Sequence, residues 1–119
     1  MIEQPSEIVL HQKSRELEIA FADGLRSKLP FEFLRVHSPS AEVKGHGPGQ
    51  EVLQVGKRNV NVTGIEPVGS YAIKIDFDDG HDSGLYTWEY LRLMSEHQNE
   101  MWQEYLQRMG EAGKSREPS

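Results

Sequence analysis

The sequence predicts an α+β domain: a mostly antiparallel sheet built from two similar strand-turn-helix units, with a C-terminal helix or helix pair packed on it. Three observations lead there. Apolar residues alternate at period two around the Asp23-Gly24 and Asp79-Gly80 dipeptides, as half-buried strands joined by tight turns require. From Trp88 onward the apolar spacing lengthens to that of an amphipathic helix. The first strand-turn segment also recurs in residue type 56 positions later, from Leu17 to Ile73, which predicts the same supersecondary unit twice.

In chain order, residues 1–6 carry no apolar period and are expected to be flexible. Ile8–His11 is a short candidate strand. Leu17, Ile19 and Phe21 alternate over Glu16–Phe21, and Asp23-Gly24 turns the chain because Gly accepts positive φ and Asp tolerates it. Leu25–Leu29 is the returning strand. Ser38–Gln50, rich in Pro and Gly, reads as a loop. Asn59–Val68 alternates again, with a shift at Gly64 that predicts a β-bulge. A break at Pro67 and Gly69 leads into Tyr71, Ile73, Ile75 and Phe77, a strand ended by Asp79-Gly80, and the chain resumes near Leu85.

Trp88, Leu91, Met94, Met101, Trp102, Tyr105 and Met109 then mark one helical face, which predicts packing against the sheet. Ser95, with Gln98 following, has capping-box form, so one bent helix and two helices broken near Ser95 both remain open. Residues 110–119 are polar and contain Gly and Pro, as expected of a disordered tail. A single domain over 7–109 remains.

The recurrence is extended. Leu17, Ile19, Phe21, Asp23, Gly24, Ser27 and Leu29 are echoed by Ile73, Ile75, Phe77, Asp79, Gly80, Ser83 and Leu85. With one residue inserted, Phe31-Glu32-Phe33-Leu34-Arg35 matches Trp88-Glu89-Tyr90-Leu91-Arg92. Shared hairpin vocabulary accounts for the Asp-Gly pairs better than for the Glu-aromatic-Leu-Arg strings.

Composition narrows the function classes. Hydrophobic residues are 36 % and charged residues 27 % of the 119, as in a small globular domain. No apolar run approaches the roughly 20 residues of a membrane helix. The N-terminus lacks a basic segment followed by an apolar one, so the cytoplasm is the expected compartment. Lys and Arg number 13 against 19 Asp and Glu, a net charge of -6, which disfavours nucleic acid as a partner. There is no Cys, which removes disulfides, thiolate zinc sites and Cys nucleophiles.

Motifs for chemistry are sparse. Gly45, Gly47 and Gly49 lack the Gly-Lys-Ser/Thr ending of a P-loop. Asp76, Asp78, Asp79 and Asp82 cluster around Gly80 without EF-hand spacing, so a solvated acidic turn competes with a cation site. His37 and His46 flank the Pro/Gly-rich loop and His81 lies in the second turn; the three converge only if the loop folds back over that turn. His11 and His97 have no supporting motif. There is no nucleophile elbow, so no residue is assigned as catalytic and the chain is expected not to be an enzyme.

The segments Leu34-Arg35-Val36-His37-Ser38-Pro39-Ser40-Ala41-Glu42 and Phe77-Asp78-Asp79-Gly80-His81-Asp82-Ser83-Gly84-Leu85-Tyr86-Thr87-Trp88 together resemble the gamma-butyrobetaine hydroxylase-like N-terminal domain family, over about Ser14–Met109. The resemblance implies kinship with small stand-alone bacterial members of no assigned function. It also implies kinship with longer proteins that carry the domain before a 2-oxoglutarate- and iron-dependent oxygenase barrel, or append it to P-loop ATPases of iron–sulfur cluster carriage. In the hydroxylase branch the domain holds a structural zinc through three Cys and one His. His81 matches that His, whereas Ser38, Ser40 and Val43 stand at the thiolate positions. A remade site for zinc or iron would need His37, His46 and His81 with Asp79 or Asp82.

Two functional readings follow. The first is a non-catalytic protein-interaction or accessory domain, its docking surface joining the His46 loop to the second turn through Arg35, His37, His81, Tyr86 and Trp88, with Arg35 and Trp88 alternatively structural. The second is a zinc- or iron-binding protein linked to iron or iron–sulfur metabolism.

Overall fold

The computed structural model of the protein describes residues 2–45 and 49–118. Its strands form two three-stranded antiparallel sheets rather than one. The first contains β1 (Glu7–His11), β2 (Glu16–Ala20) and β3 (Arg26–Pro30). The alternation seen in sequence sets its register, pairing Leu17 with Leu10 and Leu29, and Ile19 with Ile8 and Ser27. Leu17, Ile19 and Leu29 all point inward and are fully buried, which pins the register because a one-residue slip would turn that row to water. Just before β1 the chain is tied down at Pro5, which is buried, and at Ser6, whose N–H donates to Ala20 O at 2.9 Å.

After α1 (Phe31–Val36) comes α2 (Ala41–Lys44), one helical turn inside the segment read as loop. Ser40 accounts for it, since its hydroxyl accepts from Glu42 N–H at 3.2 Å, an N-cap that satisfies one of the free donors. The second sheet contains β4 (Val62–Val68), β5 (Ala72–Phe77) and β6 (Leu85–Thr87). Its register shifts between Val62 and Gly64, the bulge the sequence predicts.

Each unit thus runs strand, Asp-Gly turn, strand, helix: β2, β3 and α1 in one, β5, β6 and α3 (Trp88–Glu96) in the other. A single apolar cluster joins them, drawing Leu17, Ile19 and Leu29 from the first sheet, Val62, Ile73, Ile75 and Tyr86 from the second, Phe31, Phe33 and Leu34 from α1, and Leu91 and Met94 from α3. Every residue of α1 is buried, so α1 is an internal strut rather than a surface helix.

The helical stretch breaks at His97 into α3 and α4 (Gln98–Ala112). Ser95 is not the cap: it donates to Leu91 O at 2.8 Å and receives Ser27 Oγ–H at 2.8 Å, while Thr87 caps α3 by accepting from Tyr90 N–H at 3.1 Å. A second apolar cluster, Val36, Tyr105 and Met109 with Leu53, Trp102 and Leu106, seats α4 on α1 and on the segment after α2. The helix continues past Met109 to Ala112, and residues 115–116 return to lie against Gly56 and Arg58, where the sequence suggested a free tail. No helix of the described residues is long and apolar enough to cross a membrane.

Candidate functional site

The second turn is shaped by its own residues. Gly80 has φ +86°, which favours glycine, and Asp79 Oδ1 accepts from His81 N–H at 3.2 Å, an Asx turn. Phe77 N–H to His81 O at 3.0 Å and Gly80 N–H to Phe77 O at 3.1 Å close it. The His81 side chain is thereby directed inward, against the Phe77 ring at 6.1 Å and to 6 % exposure.

Inside, His81 Nε2 meets Ser38 Oγ at 2.8 Å and His81 Nδ1 meets Glu42 Oε2 at 3.2 Å. Burial, then the nearby Arg35 guanidinium, holds the imidazole below its ordinary pKa against the pull of Glu42 and Asp79. The ring is therefore neutral near pH 7, donating from Nδ1 to the carboxylate and accepting from the Ser38 hydroxyl at Nε2. Ser38 Oγ also accepts from Ser40 N–H at 3.2 Å, and Ser40 Oγ lies 2.7 Å from Ser83 Oγ. These bonds fasten α2 and its cap to the second turn.

Beside them is an ion cluster. Arg35 Nε donates to Asp79 Oδ2 at 2.9 Å, Lys57 Nζ donates to the same oxygen at 2.6 Å, and Arg35 Nη1 donates to Gln54 Oε1 at 3.0 Å. Burial pushes the Asp79 carboxyl up, but Lys57 and Arg35 outweigh it and hold the group at about 2.

Ser38, His81 and Glu42 stand in the order hydroxyl, imidazole, carboxylate that acyl-transfer enzymes use. Access decides against that use. Ser38 is 0 % exposed, and a Cβ placed on Gly84 would stand only 2.5 Å from its Oγ. The hydroxyl therefore lies against backbone, with no room for an acyl carbon.

Tyr86, offered for a partner, is instead a core residue, and Trp88 takes the structural one of its two readings: Tyr86 OH donates to Leu34 O at 2.6 Å, and Trp88 Nε1 donates to Ser70 O at 2.7 Å. Their polar tips find backbone carbonyls, as buried aromatic residues require. Arg35 is likewise buried, its guanidinium committed to Asp79 and Gln54.

His37 does not join His81. Its Nδ1 donates to Phe33 O at 2.9 Å, and its ring packs 4.6 Å from Phe33 and 6.0 Å from Tyr105; burial lowers its pKa as well. Asp82 is exposed, and His46 lies outside the described residues. Among the described residues no group of three or more His, Asp or Glu is placed to hold a metal ion. The residues at the zinc positions implied by the resemblance do not fit that ion either. Ser38 and Ser40 do gather beside His81, but two neutral hydroxyls, an alkyl group at Val43 and one imidazole lack the charged, soft donors zinc takes.

Several members of this cluster escape sequence reasoning. Glu42, Gln54 and Lys57 carry no local pattern, and their roles arise only when α2 and the following segment fold over the turn. Gly84 escapes it too, because the close approach that requires glycine there shows only once Ser38 is placed against it. The same segment also exposes Val52 and Val55, at 54 % and 42 %.

Comparison with known proteins agrees with this architecture. A protein known from an NMR solution structure is 50 % identical, with 100 % of this chain and 94 % of that one covered and a TM-score of 0.87. A second NMR solution structure is 49 % identical over 98 % and 86 % of the two chains, with a TM-score of 0.83. A crystal structure of a DUF971-family protein with unknown function from Acidithiobacillus ferrooxidans ATCC 23270 is 42 % identical over 77 % and 92 %, with a TM-score of 0.65. No curated protein matches. The model for the family described as "Gamma-butyrobetaine hydroxylase-like, N-terminal" matches residues 8–92. That span holds both strand-turn-helix units up to Arg92, and the chain belongs to this family.

Proposed function

We propose that the chain is a non-catalytic accessory domain that works in the cytoplasm by binding another protein. The observation that carries this reading is the commitment of the polar cluster to holding the fold. The Ser38–His81–Glu42 relay has its hydroxyl buried against Gly84, and Asp79 is occupied by Arg35 and Lys57. What the cluster secures is the neighbouring segment. Val52 N–H donates to Val43 O at 2.8 Å, Tyr105 OH donates to Gln54 O at 2.7 Å, and Leu53 packs into the second apolar cluster.

Val52 and Val55 are therefore held facing water on a backbone that is already ordered, so a partner meeting them would pay little ordering entropy. The net charge of -6 suits a protein partner better than a phosphate backbone or an anionic membrane.

Affinity capture from lysate tests the reading, with the unaltered protein beside a Val52→Asp/Val55→Asp variant. A protein retained by the first and lost by the second is the expected result. Equal recovery by both would contradict it.

A further inference from the structure

The residues after α4 carry a cation into a site built to receive one. Gly113, at φ +64°, ends the helix, and Lys114 N–H donates back to Met109 O at 3.0 Å, an αL termination that turns the chain toward α1. Arg116 then donates from Nε and Nη2 to Oε2 and Oε1 of Glu32, both at 2.7 Å. Its guanidinium also lies 5.1 Å from the centroid of the Trp102 ring. The Glu32 side chain is only 9 % exposed, and among the described residues Arg116 is the only cation paired with it.

A planar fork on a carboxylate, stacked on an aromatic face, is the geometry that distinguishes guanidinium from ammonium. The cleft has room beyond its present occupant: about 400 Å³, bounded by Pro30, Glu32, Phe33, Gln98, Asn99 and Trp102. Little else holds the segment. Gly56 N–H donates to Ser115 O and Arg58 N–H to Arg116 O, both at 3.0 Å, and Arg58 pairs with Glu117 at the surface. Every residue from 114 to 118 except Arg116 is exposed.

We infer that the cleft between α1 and α4 is a guanidinium-recognition site, filled in cis by Arg116 and open to an extended arginine-bearing segment of another protein when residues 114–118 lift away. It stands whether or not Val52 and Val55 meet a partner. The side chain of the incoming segment takes the Glu32–Trp102 seat, and its backbone takes the N–H groups of Gly56 and Arg58. Emptying the seat would leave a buried carboxylate unpaired, so the exchange is of one guanidinium for another. The tether gives Arg116 an effective concentration on the order of millimolar, so the incoming segment binds the unaltered chain weakly unless the tail is drawn off.

The test titrates a capped Lys-Ser-Arg-Glu-Pro peptide into the full chain carrying Arg116→Ala and into the unaltered chain. It is read at the indole N–H resonance of the half-buried Trp102, with buried Trp88 as the internal control. The variant should bind at least tenfold tighter, about 1.4 kcal/mol. Replacing the peptide's arginine by citrulline, or adding Glu32→Gln, should abolish the gain. Equal binding by variant and unaltered chain, or indifference to citrulline, would overturn the inference. Should Arg116→Ala not fold, excess peptide on the unaltered chain decides: an arginine-dependent Trp102 shift supports the site and its absence overturns it. A concentration-dependent dimer that vanishes with Arg116→Ala would place the occupant in a second copy and overturn the assignment to another protein.

Discussion

The two Asp-Gly turns are built alike and serve differently. Phe21 N–H reaches Leu25 O at 2.8 Å as Phe77 N–H reaches His81 O at 3.0 Å. Asp23 Oδ1 receives Leu25 N–H at 3.3 Å as Asp79 Oδ1 receives His81 N–H at 3.2 Å. Each aspartate is also held by the arginine of the other unit's helix: Arg92 donates to Asp23 through Nη1 and Nη2, both at 2.8 Å, and Arg35 donates to Asp79 at 2.9 Å. The contacts are thus reciprocal, the helix arginine of each unit holding the turn aspartate of the other.

The surroundings differ. Asp23 is 58 % exposed and Arg92 26 %, whereas Asp79 is 23 % exposed, Arg35 8 %, and Lys57 joins them. The His81 position is Leu25 in the first turn. Matching residues at matching positions therefore carry different energies, set by what the rest of the chain folds over them.

The sharpest test of that difference is Asp79→Asn against Asp23→Asn in denaturant unfolding. The first leaves Arg35 buried beside Lys57 without a carboxylate and should cost about 3 kcal/mol. The second removes an exposed, salt-screened pair and should leave the midpoint close to that of the unaltered protein. Equal losses would break the comparison. Gly84→Ala against Lys28→Ala, its exposed counterpart 56 residues earlier, is next. The new methyl would press on the bonded Ser38 hydroxyl and cost about 2 kcal/mol by thermal melting, whereas Lys28→Ala should change little. Ser38→Ala, which strips His81 Nε2 of its partner, should cost about 1–2 kcal/mol in the same assay.

The smallest effect expected is in pH dependence. His37 and His81 have lowered values in the folded protein, so the unfolded chain takes up protons first. Their contribution is full above about pH 6.5 and falls as the pH drops toward the native values. A separate loss belongs to Asp79, held at about 2: full above about pH 4, it is lost as the pH falls to 2, whereas Asp23, lowered by Arg92 but exposed, adds little. Stability measured from pH 8 to 5 should decline, and His81→Asn should flatten part of that slope. A slope unchanged by His81→Asn would mean the ring is not held neutral as described.

Much of the fold was legible because alternation and turn chemistry are local. Leu17, Ile19 and Phe21 announce β2 and its turn, and the echo 56 residues on announces the second unit. The division into two sheets was not legible, since strand order across the units depends on which faces meet. The site was legible only in part. His81 and Asp79 stand out by residue type, whereas the sequence leaves Arg35 and Trp88 open between docking and structure and points Tyr86 toward docking, and the fold buries all three. An aromatic or arginine in a periodic segment looks the same in sequence whether it faces water or a backbone carbonyl. Glu42, Gln54 and Lys57 were silent because their contacts span unrelated segments of the chain.

The second turn is fastened by hydrogen bonds and ion pairs at residues that lack the charged, soft donors zinc takes. The most direct measurement is denaturant unfolding of the unaltered protein, as purified without chelator, with and without added chelator, beside His81→Ala. One unfolding curve regardless of chelator is expected, with a loss of stability in His81→Ala that chelator does not change. A chelator-dependent loss in the unaltered protein that disappears in His81→Ala would contradict it and make the turn a metal site.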